Sequence, residues 1–209
     1  DGVSTLSVSG RKGIALWNVP PHEPSKAESV MELQRDWCLS TTIDQTSRWM
    51  AWVEINEIHV WDLDAGVERR ISAPPMLQGW HGIAFVPGSD SLVFVSADGA
   101  LEVWDVGLDR GVRSFADPET MHAPHLALSP DGKWLATLSS SDAVSIWQLA
   151  EAREVYSFRP EGAAVWSLAW SPASTELAVG RNDGSAAIWR LPRVDAKLAE
   201  FNLQWQSQP

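Results

Sequence analysis

One residue recurs in this chain at a nearly fixed period. Trp17, Trp61, Trp104, Trp147 and Trp189 each stand inside a short β-favouring run: "IALWNV" (14–19), "IHVWDL" (58–63), "LEVWDV" (101–106), "VSIWQL" (144–149) and "AAIWRL" (186–191). The spacings are 44, 43, 43 and 42 residues. A repeat of that length constrains the fold more than any single element, because each unit must bury its apolar face against its neighbours.

More than the tryptophan repeats. Trp104, Trp147 and Trp189 each follow by twelve residues the Leu that opens a second apolar run, "LVFVS" (92–96), "LATLS" (135–139) and "LAVG" (177–180). The same spacing assigns Trp49 of "WMAWV" (49–53) to that place before Trp61. Turn residues precede these runs in "DQTSR", "VPGSDS", "SPDGK" and "SPAST", and a further short run precedes each turn in "STTI", "GIAF", "HLAL" and "SLAW". A last short run closes each unit, in "ESVMEL", "GVERRI", "GVRSF" and "EVYSF". Runs of four to seven residues, rich in Val, Ile, Leu and Trp and bounded by Gly, Pro, Asp and Ser, are strand chemistry with tight turns. "ADGA" (97–100) and "NDGS" (182–185) add the Asp-Gly hairpin signal. Each unit reads as four strands.

Four strands per roughly 43 residues is the period of a β-propeller blade. Here the chain resembles the WD40-repeat family. Trp61-Asp62 and Trp104-Asp105 are the WD dipeptide, and "SPDGKWLATLSSSDAVSIW" (129–147) is close to that family's repeat core. The resemblance spans about residues 1–191. It implies that each repeat Trp packs inside its blade and joins a hydrogen-bonded set with an Asp of the preceding turn, a Ser or Thr of the second strand and a His ahead of the first strand. Asp98, Asp142 and Asp183 match the Asp, and Ser96 and Ser139 are the candidates for the Ser/Thr. The His departs from the pattern, since the fifth repeat has Glu161-Gly162 in place of Gly-His.

The expected fold class is therefore all-β, a WD40-type propeller with about five repeats and incomplete first and last blades. Asp1-Gly2 reads as the end of a turn, and no fourth strand follows Trp189. The expectation is a segment of a larger ring, of seven blades by the family's habit, with residues 1–191 as the propeller segment. Residues 192–209 form a separate tail. Pro192 suits a helix start, and Val194, Leu198 and Phe201 fall on one helical face. The "LPR" that opens this tail and its "LQW" resemble the close of bacterial multidomain proteins in which WD40 repeats follow a Ser/Thr kinase-like or sigma-factor-like region.

Charge and motif content bound the function. A formal net charge of −11 disfavours phosphate backbones and anionic membrane surfaces. No run of 18 apolar residues is present. Cys38 is the only cysteine, so no disulfide forms within the chain. "GRKG" (10–13) lacks the Ser/Thr of a phosphate loop and reads as a hairpin turn. His122 and His125 lack a third nearby ligand, Asp62, Asp64 and Asp105 read as solvated carboxylates at strand ends, and no nucleophile elbow is written. The reading calls for no catalytic residue, cofactor or metal.

What remains is a rigid scaffold with loops that bind. By the family resemblance, one loop-lined face would carry Trp80, His81, His122, His125, Val165, Trp166, Arg181 and Asn182, and its partner would be a protein or peptide. The expected compartment is the cytoplasm. Two other readings stand beside this one: a regulatory arm of a larger kinase-like enzyme, or a structural arc that completes a ring or self-associates through open sheet edges.

Overall fold

The computed structural model describes residues 4–10, 13–20, 22–35, 38, 40–54, 57–71, 82–96, 100–115, 125–139 and 143–191. The chain divides into two compact units, Asp1–Ser114 and Phe115–Pro209. The first carries β1 (Ser4–Gly10), β2 (Gly13–Val19), β3 (Glu28–Leu33), β4 (Ser40–Ile43), β5 (Trp49–Glu54), β6 (Glu57–Asp62), β7 (Val67–Ile71), β8 (Ile83–Phe85), β9 (Ser91–Val95), β10 (Leu101–Asp105) and β11 (Arg110–Phe115), which ends at the boundary. The second carries β12 (Leu126–Leu128), β13 (Trp134–Leu138), β14 (Val144–Gln148), β15 (Arg153–Phe158), β16 (Val165–Trp170), β17 (Glu176–Arg181) and β18 (Ala186–Arg190).

These strands form small sheets in sequence order: β1-β2-β3, β4-β5-β6-β7, β8-β9-β10-β11, β12-β13-β14-β15 and β16-β17-β18. The mapped pairings are antiparallel between consecutive strands. The fold is all-β, as the repeat requires. Trp61, Trp104, Trp147 and Trp189 lie on the third strand of their sheets, and Trp17 lies on β2, the middle strand of the first. The helix expected from Pro192 onward lies outside the described residues.

Register matches the repeat, with one correction. Leu92 pairs Trp104, Leu135 pairs Trp147 and Leu177 pairs Trp189, as the twelve-residue spacing predicts. Trp61 instead pairs Met50, so Trp49 stands one position earlier, opposite Asp62. Hairpin length explains the slip. Glu54 pairs Glu57 across two residues, whereas Val95 pairs Leu101 and Leu138 pairs Val144 across five. Because side chains alternate faces along a strand, that single residue decides which side of the sheet Trp49 enters.

The core lies between sheets. Ile14, Leu16, Met50 and Trp52 bury together, with Met31, Ile43 and Trp61 packed on them. The other face of β5 supplies Trp49, Ala51 and Val53, which bury with Ile58 and Val60 against Ile83, Phe85, Leu92 and Phe94. β5 is thus covered on both faces, and this is why "WMAWV" is continuously apolar and does not alternate. In the second unit, Ala136, Leu138, Val144 and Ile146 bury against Val165, Leu177 and Val179. Each such aliphatic side chain contributes about 1.5–3 kcal/mol. Two tryptophans hydrogen-bond across these junctions, Trp49 Nε1 to Asp90 Oδ1 at 3.1 Å and Trp170 Nε1 to the Ala127 carbonyl at 2.9 Å.

The turns between first and second strands share one device. Ser129 Oγ accepts from Trp134 N at 2.9 Å and donates to Asp131 at 2.6 Å, and Ser171 Oγ accepts from Glu176 N at 3.1 Å. Asp44 does the same work in the second sheet, accepting from Trp49 N at 2.7 Å. Gly132 holds a φ of 71° in the turn where the next repeat has Ser174 at 58°, a left-handed conformation that costs a residue with a side chain more than it costs glycine.

Candidate functional site

The repeat tryptophans form the first candidate set. Trp147 Nε1 donates to Thr137 Oγ1 at 2.9 Å, a bond between third and second strands within one sheet. The Ser/Thr place therefore belongs to Thr137, and Ser139 and Ser96 are corrected. Ser139 Oγ accepts from Ala143 N at 3.2 Å and Ser96 Oγ donates to the Ala100 carbonyl at 3.0 Å, so both hydroxyls close hairpins. The register held the signal: the hydroxyl must stand two residues after the Leu paired with the Trp. In the third and fifth sheets of the chain that position is Phe94 or Val179, and Trp104 Nε1 and Trp189 Nε1 are buried without a partner. The rings sit at the junctions as well as within their sheets: Trp104 packs on the Trp49 cluster and Trp189 on the Ile146 cluster. Trp147 also meets Phe115, ring centroids 5.8 Å apart.

The carboxylates divide. Asp98 and Asp142 lie outside the described residues. Asp183 accepts from Ser185 N at 2.9 Å in its hairpin turn, and its pKa is lowered, first by the Ser185 hydroxyl and then by that amide. Asp62 is buried rather than solvated, which corrects the reading from sequence. It accepts from Asp64 N at 3.1 Å and Ala65 N at 3.0 Å, so it caps the turn after β6. The Ala65 amide is the main cause of its lowered pKa. Asp105, half-buried, caps its turn through Leu108 N at 2.8 Å.

A hydrogen-bonded group around a buried histidine went unread in the sequence. His59, 2% exposed, stacks on Trp52 with ring centroids 5.1 Å apart and 9° between planes. Its Nδ1 is 2.7 Å from Glu68 Oε1, and Glu68 Oε2 accepts from Arg35 Nη2 at 2.5 Å. Arg35 follows β3, so this chain of contacts ties the first sheet to the second. Arg35, His59 and Glu68, scattered over 35–68, carry no local spacing signal.

On the expected loop-lined face, Trp80, His81 and His122 lie outside the described residues. Val165 is 4% exposed and belongs to the core. His125 is half-buried just before β12, where its carbonyl accepts from Leu138 N at 3.1 Å and burial lowers the pKa of its imidazole. The remaining three gather at one end of the last sheet. Val165 pairs Arg181, and Asn182 N donates to the Ala164 carbonyl at 3.0 Å, closing the entry to β16 against the β17–β18 turn. The register then shifts between Val165 and Ser167, and this bulge turns Trp166 outward at 66% exposure. Arg181 Nη1 donates to Ser185 Oγ at 3.2 Å, while its Nε is buried without a partner.

Among the described residues no group of three metal-ligating side chains converges, and no helix is long and apolar enough to cross a membrane. Residues 152–190, the stretch from the start of β15 to the end of β18, match the family model described as WD domain, G-beta repeat. No curated protein matches the chain. The match and the repeated four-stranded meanders together support the WD40 β-propeller family. Its propellers generally mediate protein–protein interaction and are typically non-catalytic.

Proposed function

We propose that the chain is a non-catalytic protein-interaction module that binds a peptide at the end of the last sheet, with Trp166, Arg181 and Asn182 as its contacts and His125, just ahead of β12, beside them. The observation that carries this reading is the bulge beside the Asn182–Ala164 hydrogen bond, which holds a large exposed indole next to an arginine on a rigid hairpin. Trp and Arg supply contact area and directed donors, the two properties enriched at binding hot spots. The charge of Arg181 suits a carboxylate or backbone carbonyl of an extended ligand. The resemblance of the tail supports a regulatory arm of a larger cytoplasmic kinase-like protein, with residues 1–191 as propeller segment and 192–209 as its helical close.

A peptide library displayed on phage, selected against the wild-type chain and counter-screened on Trp166→Ala and Arg181→Ala, tests the proposal. The expected result is enriched peptides that lose roughly tenfold or more in affinity on each variant. Enriched peptides indifferent to both substitutions overturn the site.

A further inference from the structure

Three of the described hairpins close alike, and the last is built from different residues. Val95 pairs Leu101, Leu138 pairs Val144 and Gly180 pairs Ala186, so each joins its second and third strands across five residues. The first of the five donates its backbone N–H to the carbonyl of the fifth: Ser96 to Ala100 and Ser139 to Ala143, both at 2.8 Å, and Arg181 to Ser185 at 2.9 Å. In the two earlier hairpins the first residue is a buried Ser whose hydroxyl bonds to the backbone of the fifth, an Ala. In the last hairpin Arg181 takes the Ser position and Ser185 takes the Ala position. Closure does not require the exchange, since the other two hairpins close without it.

The exchange holds a guanidinium. Arg181 Nη1 donates to Ser185 Oγ at 3.2 Å, and Ser185 N donates to Asp183 Oδ1 at 2.9 Å. The Ser185 hydroxyl also lowers the pKa of Asp183, so its proton points at that carboxylate and its lone pairs are left for the arginine. On its other side Arg181 lies over bare backbone. A Cβ on Gly162 would stand 3.9 Å from Nε, and Gly162 has a φ of 104°, where a side chain is strained. Nε is buried there without a partner. Among the described residues nothing is bonded to Nη2, and Arg181 forms no ion pair. Ser185 occupies one N–H of the two terminal nitrogens, which leaves the others on a guanidinium fixed in place.

We propose that Ser185 is a positioning residue for peptide binding, and that the guanidinium it holds takes the carboxylate of an Asp or Glu side chain in the ligand. The inference rests on the peptide-binding reading and adds the chemistry of the ligand. A carboxylate brings two oxygens and a charge to the planar donor fork, where a backbone carbonyl brings one oxygen and no charge. The charge-assisted bond is the stronger of the two.

The test starts from peptides that phage display enriches on the full 209-residue chain. They are synthesised beside analogues in which Asp or Glu becomes Asn or Gln, and affinities are read by calorimetry. The amide analogues should bind the wild-type chain roughly tenfold more weakly, and Arg181→Ala should abolish the difference. Ser185→Ala should weaken the acidic peptides by roughly three- to tenfold and leave the amide analogues unchanged. Ser185→Thr should restore the acidic preference. The Ala variant should keep the fold, because Ala100 and Ala143 hold the same position in the other hairpins, and circular dichroism checks it. Peptides that need Trp166 and Arg181 but share no acidic residue overturn this inference and leave the binding site standing. Acidic peptides that bind Ser185→Ala as tightly as the wild type do the same. Failure to enrich any peptide sensitive to Trp166 or Arg181 overturns both.

Discussion

The sheets β12–β15 and β16–β18 share a register, Leu135↔Trp147 and Ala136↔Ile146 in one, Leu177↔Trp189 and Ala178↔Ile188 in the other. Two of their differences bear directly on stability. Thr137 gives the Trp147 indole a hydrogen-bond acceptor, where Val179 leaves Trp189 Nε1 buried and unpaired. Ile146 is 1% exposed under the next sheet, where Ile188 is bare. Local pattern therefore sets the strands and their pairing, while the energy of a position depends on what the next unit places over it.

The largest expected contrast follows from coverage. Ile146→Ala should cost about 2–5 kcal/mol of stability, the range for a buried aliphatic truncated to Ala. Ile188→Ala should stay within about 0.5 kcal/mol, as for an ordinary surface site. Urea unfolding of the two variants at low protein concentration measures both. Equal losses would mean that Ile188 is covered in solution.

The hydrogen-bond contrast is smaller. Thr137→Val should cost about 1–3 kcal/mol, because it leaves the Trp147 indole unsatisfied. The reverse exchange, Val179→Thr, should stabilise by about 0.5–1.5 kcal/mol by giving Trp189 the acceptor it lacks. Thermal melts of the two single variants and the double variant sharpen the comparison. A neutral Thr137→Val would show that Trp packing alone holds the blade.

The smallest effect is one of pH. Burial holds the folded-state pKa of His125 below its ordinary 6.5. The unfolded chain therefore takes up the proton first, and stability falls as the pH drops through that value. The urea midpoint should decline between about pH 7 and pH 5, and His125→Asn should flatten the decline. An unchanged slope in that variant would assign the acid sensitivity to other groups.

The period of the fold was legible because a bulky ring on every fourth strand cannot be placed at random, and because Asp, Gly and Ser mark the turns between. The face that Trp49 enters was not legible. It depends on a two-residue hairpin where the β9–β10, β13–β14 and β17–β18 hairpins have five, and spacing alone does not tell a slip from a substitution. Thr137 was not legible as the indole's acceptor for a related reason: it and Ser139 lie near the end of one strand, and only the pairing of Leu135 with Trp147 shows which hydroxyl faces the indole. Of the candidate site, Arg181 and Asn182 stood out as turn residues, but the exposure of Trp166 arises from a bulge that the sequence "AVWSL" does not announce. The His59 group shows the limit most plainly, since Arg35 and Glu68 meet only through the packing of two sheets.

The central claim is that successive sheets within a unit stabilise each other through their facing surfaces, and a double-mutant cycle tests it most directly. Ile146→Ala and Val179→Ala sit on opposite sides of one junction, while Ile188→Ala and Val179→Ala belong to opposite faces of one sheet. The account predicts a coupling of about 0.5–3 kcal/mol for the first pair and additivity within about 0.5 kcal/mol for the second. Additivity in the first pair would contradict it, because Ile146 and Val179 would then not share a packed junction.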